Sequence, residues 1–231
     1  MRRFLWILLL LLSACNESPA PSVFLSFTET EPGGEPYPVR MLITDKYLRI
    51  EDGDGKGGFI LFDRAARTAY SVNHEARTTL VLKARPVEMA RPAKFENQAE
   101  RDSATYPAVE GRTVTHYRLM TNGEHCFDVY AADGLLPQAA KAMREYHEAL
   151  AGEQATMQAQ VPAAFQSACD IADYVLLPTR HLDHGFPVRQ INRAGLLRQL
   201  ADFKTGVPVP PKFLEIPPDY KQLTPADVRA K

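Results

Sequence analysis

Three groups of residues in this chain have types and spacing that could do chemistry. The first is His181-Leu182-Asp183-His184, its only local histidine–carboxylate cluster. Two imidazoles and a carboxylate can hold zinc or another divalent ion, and a metal so held would suit a hydrolase. The histidines stand at i, i+3, whereas a helical zinc pair stands at i, i+4. The segment follows Pro178 and precedes Gly185, which reads as a loop. A solvated turn fits it better than a metal site, and no cofactor is expected. His116, His125 and His147 lie too far away in sequence to be assigned to it. The second group is Glu51 to Gly58. Counted from Asp52 as a calcium loop, it puts Lys56 at a position that needs oxygen and Asp63 where a bidentate glutamate belongs. Its flanks read as strands, so a hairpin turn is expected. The third group is the cysteines. Cys126 and Cys169 have no CxxC spacing, so a redox thiol is unsupported. No serine stands in a G-x-S-x-G elbow. Phe24, Phe27, Tyr47, Phe59 and Phe62 are candidates to line a ligand cavity; a filled core is the favoured reading, because apolar strand residues usually pack on one another.

The elements that must position these residues are mostly strands. Val23, Leu25 and Phe27 alternate with polar residues, and Pro32-Gly33-Gly34 marks a turn. Val39, Met41 and Ile43 alternate next. Tyr47 to Ile50, Phe59 to Phe62, Thr68 to Val72 and Thr78 to Leu82 complete six short runs, as in an antiparallel meander. Several runs are apolar on both faces, so both faces of the sheet should be covered. Ala84 to Tyr106 is broken by Pro86 and Pro92, with a short helix expected near Val87 to Ala90 and then a loop. Thr113 to Met120 and His125 to Ala131 should form a hairpin turning at Asn122-Gly123. Pro137 suits a helix start, and Ala139, Met143, Tyr146 and Leu150 recur at helical spacing. A second helix is expected from Pro162, with Phe165, Cys169, Ala172 and Val175 on one face, stopped by Pro178. Strands return at Val188 to Asn192 and Leu196 to Phe203.

The amino terminus sets the compartment. Arg2 and Arg3 precede nine uninterrupted apolar residues, Phe4 to Leu12, and then Ser13-Ala14-Cys15. A basic start, a short apolar run and small residues at a cut site read as an export signal. The run is too short to span a bilayer, which takes about 20 residues. Leu12-Ser13-Ala14-Cys15 resembles the lipobox of bacterial lipoproteins. That resemblance implies acyl chains on Cys15, a signal peptide over 1–14 and a lipidated tether over 15–21. Asn16 is not the aspartate that marks inner-membrane retention, so the resemblance implies the outer membrane, facing the periplasm. In that oxidising compartment the pair Cys126 and Cys169 reads as a disulfide. Closing so long a loop contributes about 4 kcal/mol in the chain-entropy account.

The chain has 231 residues, 45% hydrophobic and 24% charged, with a net charge of −1. These values suit one globular domain. No basic block stands out, which argues against nucleic acid as a partner.

The order of meander, hairpin, helical insert and returning strands resembles the half-barrel of LolA/LolB-type lipoprotein carriers. It is closer to uncharacterised periplasmic domains of that architecture. Tyr47-Leu48-Arg49-Ile50-Glu51 with Ile60-Leu61-Phe62-Asp63 carries this resemblance. So do Glu110-Gly111-Arg112 with Cys126 to Tyr130, Gly185-Phe186-Pro187-Val188 and Phe213-Leu214-Glu215-Ile216-Pro217. It implies an α+β, mainly β fold: an antiparallel sheet curved into a half-barrel over 22–222, with a two-helix insert at about 135–177. A polar tail, 223–231, follows. The function expected is non-enzymatic: binding an apolar, lipid-like ligand or an envelope partner protein, with the membrane held through Cys15. The alternatives are an envelope assembly factor without a cavity, and a metal-dependent hydrolase using His181 and His184.

Overall fold

The structure is a computed structural model that describes residues 22–53, 55–210 and 212–230. The expected signal peptide, Cys15, Asn16 and the tether lie outside the described residues. Among the described residues, no helix is long and apolar enough to cross a membrane.

The fold is mainly β, an open curved sheet of twelve strands. Six strands form a meander: β1 (Val23–Thr30), β2 (Tyr37–Ile43), β3 (Tyr47–Asp52), β4 (Gly58–Asp63), β5 (Thr68–Asn73) and β6 (Thr78–Lys83). They coincide with the six alternating runs of the sequence. A second set comprises β7 (Asn97–Arg101), β8 (Val114–Thr121), β9 (Glu124–Ala132), β10 (Phe186–Asn192) and β11 (Leu197–Thr205). β11 pairs with the free side of β1, so the two meanders join at the first strand. The spatial order is β12-β6-β5-β4-β3-β2-β1-β11-β10-β9-β8-β7, where β12 is Lys221–Leu223. All pairings are antiparallel except that of β12 with β6. Asn122 and Gly123 take positive φ at the β8–β9 turn, as a two-residue hairpin requires.

Helix α1 (Pro137–Ala159) follows β9 and crosses the inner face of the sheet, touching β2, β3, β5 and β6. Its buried stripe is small: Ala139, Ala142, Ala149, Gly152 and Ala155 around Met143. Small side chains let the helix lie close to the strands. Val23, Leu25, Phe27, Met41, Leu48 and Phe62 meet it from the sheet as the main core. The periodicity weakens at Gly152, yet the helix runs on for two further turns. A Cβ at Gly152 would sit 2.3 Å from the Arg85 carbonyl oxygen, so the glycine admits the backbone of Arg85 and Pro86. That close approach offsets the roughly 1 kcal/mol that glycine costs inside a helix.

The structure differs from expectation in two places. Residues 84–96 contain no helix; Pro86 and Pro92 each remove an N–H, and the chain is irregular, with Arg85 and Pro86 close against Gly152 of α1. β7 follows, unmarked by alternation because it is a polar edge strand with mostly exposed side chains. The second helix starts late. Ala163–Phe165 is a 3-10 turn, and Phe165 is 78% exposed instead of buried. Ser167 then accepts the Asp170 N–H and caps α2 (Ala168–Asp170), which continues as a π-helix over Ile171–Leu176. After β12, Thr224 and Asp227 form a capping box on α3 (Pro225–Arg229), and Arg229 pairs with Glu153 on α1.

The outer face of β3–β5 is covered by the segment before β12. Leu214, Ile216 and Tyr220 pack on Phe59, Leu61 and Val72. Beneath this strap the Arg49 guanidinium lies 3.5 Å over the Phe59 ring and 4.1 Å from that of Phe213. It donates to the Glu51 carboxylate at 2.9 and 3.1 Å and to the Phe213 carbonyl at 2.8 Å. Both faces of this half of the sheet are therefore covered, as its two-sided apolar runs require.

Candidate functional site

Cys126, on β9, and Cys169, on α2, form a disulfide with Cα atoms 5.3 Å apart. Both are fully buried. The bond fastens the helical segment to the β8–β9 hairpin and holds the π-helical turn against α1.

The histidine–carboxylate cluster disperses. His181 is buried against Phe127, with ring centroids 6.1 Å apart. Asp183 is exposed and pairs with Arg144 on α1 at 2.7 Å. His184 stacks on Tyr117 at 3.9 Å. Among the described residues, no three His, Cys, Asp or Glu side chains are grouped to hold a metal. The Glu51–Gly58 stretch is the β3–β4 turn, with Gly53 and Gly55 at positive φ and a strand on each side.

What His181 does meet is His147, from α1, edge-on with centroids 4.9 Å apart. The two are distant in sequence; the crossing of α1 over the sheet brings them together. They line a pocket of about 200 Å³ between α1, the π-helical turn and β9–β11. Phe127, Tyr174, Gln190 and Arg198 complete its wall, with Asp173 held by Arg180 at 2.6 Å. Burial lowers the His147 imidazole to about 4, helped by the Arg198 charge. Burial also holds His181 well below the usual histidine range, reinforced by His147, Arg198, Arg144 and Arg180. Both rings are therefore neutral at pH 7. Burial raises the Asp173 carboxyl, although Arg180 pulls the other way.

A second, more open recess of about 480 Å³ lies on the inner face beyond α1. Tyr37, Val39, Ile50, Ile60 and Ser71 line it. Ile50, Ile60 and Ser71 are directly paired across β3, β4 and β5 and so share that face. Glu29 and Arg198 stand at its side. Arg198 bonds Glu29 at 2.5 Å, and the Tyr37 hydroxyl donates to Glu29 at 3.1 Å. Arg198 belongs to both the recess and the histidine pocket.

The five aromatic candidates divide. Phe27 and Phe62 are fully buried in the packed core, Phe62 edge-on to Tyr146 of α1. Phe24 is half-buried on the opposite side of β1. Tyr47 packs under the outer strap. Phe59 also lies under the strap and alone of the five reaches the edge of the recess.

Sequence reading also missed a cluster on the other side of the β8–β9 hairpin. His116 is held by Asp128 at 2.7 Å and Asp102 at 3.1 Å, and stacks on Tyr130 at 4.4 Å. Tyr106 donates to Asp102 at 2.7 Å. Bonds from the Ala104 N–H, Tyr106 and His116 hold the Asp102 carboxyl down at about 2. These contacts clamp the 102–113 loop onto the hairpin.

No family model matches the chain, and no curated protein matches it. Among solved structures, it is similar to PNGF-II, at 8% identity and a TM-score of 0.46 over 91% of this chain. The chain spans about a third of the length of that protein, 32%. An uncharacterised conserved protein from Thermus thermophilus aligns over 90% of this chain and 92% of its own, at 10% identity and a TM-score of 0.45. A LolA superfamily protein from Nitrosomonas europaea aligns over 87% and 91%, at 9% identity and a TM-score of 0.31. With identities near one in ten and TM-scores below 0.5, these likenesses leave function to this chain's own geometry.

Proposed function

We propose that this protein is a non-enzymatic binding protein of the bacterial envelope, tethered to the outer membrane through acyl chains on Cys15. Its domain, 22–222, is a half-barrel whose inner recess receives an apolar segment of an envelope partner protein. The observation that carries this reading is the contrast between a filled core and an open recess. A carrier that swallows an acyl chain needs an empty apolar interior of at least about 300 Å³. Here Leu25, Phe27, Leu48 and Phe62 occupy that interior with at most 1% exposure. The recess at Tyr37, Val39, Ile50 and Ile60 is open to solvent and mixes apolar side chains with the Glu29–Arg198 pair, which suits a peptide segment laid along the strands. The buried disulfide supports an oxidising compartment. The dispersal of His181, Asp183 and His184 leaves the hydrolase reading without a metal cradle of its own.

A photocrosslinker placed at position 60 in cells tests this reading, with a second at Thr28 as control, exposed on the opposite face of β1. The expected result is one discrete envelope-protein adduct from position 60 that is absent from position 28. Lipid adducts alone, or the same adducts from both positions, would overturn the partner reading.

A further inference from the structure

The histidine pocket contains a donor with nothing to bond. Gln190 is 7% exposed and lines the pocket, and among the described residues its buried Nε2 has no hydrogen-bond partner. A buried amide N–H left unpaired costs about 1–3 kcal/mol, so natural proteins seldom keep one without a use. Directly opposite Gln190 on the neighbouring strand is Arg198. Cross-strand partners on one face have Cβ atoms about 5 Å apart. Glu29, next in the same row on β1, engages Nε and Nη2 of Arg198. Glu29 does not engage Nη1, and Arg198 itself lines the pocket. The floor thus sets two donor-bearing side chains, Gln190 and Arg198, side by side on β10 and β11.

The walls are flat. Phe127 and His181 are near-parallel, at 19°, and His147 stands edge-on to His181. Tyr174, 39% exposed, and Leu196 form the rim. The one carboxylate in the wall, Asp173, is already answered by Arg180. A volume of about 200 Å³ equals roughly six or seven waters at about 30 Å³ each. That admits a molecule the size of one aromatic ring with a small substituent and excludes an acyl chain.

We propose that this pocket binds a small planar carboxylate, its two oxygens accepting from Gln190 Nε2 and Arg198 Nη1 and its flat body lying among Phe127, His147 and His181. The site has its own walls and shares only Arg198 with the recess at Tyr37 and Ile60. The carboxylate would complete the row Glu29–Arg198–Gln190 across three strands. Its size limit and its two-donor floor both come from β10 and β11, which α1 and the π-helical turn roof over.

The test is a titration of the purified full-length protein with sodium benzoate, followed by the imidazole resonances of His147 and His181. Benzyl alcohol, which keeps the ring and lacks the carboxylate, is the comparison. Saturable shifts of both imidazoles with benzoate are expected, with benzyl alcohol at least tenfold weaker. Gln190→Leu should weaken benzoate at least tenfold, and Leu196→Trp, which fills the pocket from its rim, should abolish the shifts. Leu196→Trp decides the matter if Gln190→Leu does not fold. An absence of saturable shifts would overturn the proposal. Equal shifts in the parent and Leu196→Trp proteins would also overturn it and mean an adventitious additive only.

Discussion

Acidification from pH 7 to 5 should destabilise this protein through His147. Its imidazole titrates near 4 in the folded protein against 6.5 for an ordinary histidine. The unfolded chain therefore binds a proton between pH 6.5 and 4 that the folded chain refuses. Stability from this group is fully present above pH 6.5 and is lost as pH falls toward 4. One pH unit below 6.5 costs about 1.4 kcal/mol, so pH 5 costs on the order of 2 kcal/mol. That is a sizeable share of the roughly 5–15 kcal/mol typical of a domain. His181, lowered in the same direction, adds to the loss. The cause is geometric: both rings line the pocket beside Arg198, and Asp173, the carboxylate in that lining, is committed to Arg180. Urea unfolding at pH 7 and pH 5 measures the difference. His147→Gln removes the titrating group, and its loss between the two pH values should be smaller by about 2 kcal/mol. If the variant loses as much stability as the parent, the imidazole is not excluded from protonation and the reasoning fails.

Three further outcomes follow from packing. Gly152→Ala should destabilise by about 1–3 kcal/mol, despite alanine's better helix propensity, because its Cβ would meet the Arg85 and Pro86 carbonyl oxygens at 2.3 and 2.8 Å; thermal melting reads the sign. Cys126→Ala with Cys169→Ala should cost about 4 kcal/mol, the loop being 43 residues, and a free-thiol count on the unreduced parent should find neither thiol reactive. Arg49→Met should cost about 3 kcal/mol by denaturant unfolding, because it strips the buried Glu51 carboxylate of its Arg49 pair and keeps the Arg40 contact at 2.9 Å.

The strands were legible because their signals are local. Val23, Leu25 and Phe27 alternate, and Asn122-Gly123 can only turn tightly, so neither depends on distant neighbours. The two-sided apolar run Phe59 to Phe62 also announced a sheet covered on both faces. β7 was not legible, because an edge strand exposes its side chains and Asn97 to Arg101 carries no apolar rhythm. The restart of the second helix turned on Ser167, whose capping role shows only once the 3-10 turn before it has ended. The histidine pocket was hidden for a different reason. His147, His181, Gln190 and Arg198 come from four elements, and only the passage of α1 across the sheet and the register of β10 with β11 unite them. Periodicity identifies faces; it does not identify which faces meet.

Native mass spectrometry of the protein extracted gently from its own membrane tests the central claim most directly. The account predicts an acylated mature chain beginning at Cys15 that carries one envelope partner protein in a defined ratio, with the partner lost in Ile60→Asp protein of unchanged melting temperature. A chain that retains lipid in its interior and no protein partner, or that lacks acylation, would contradict it.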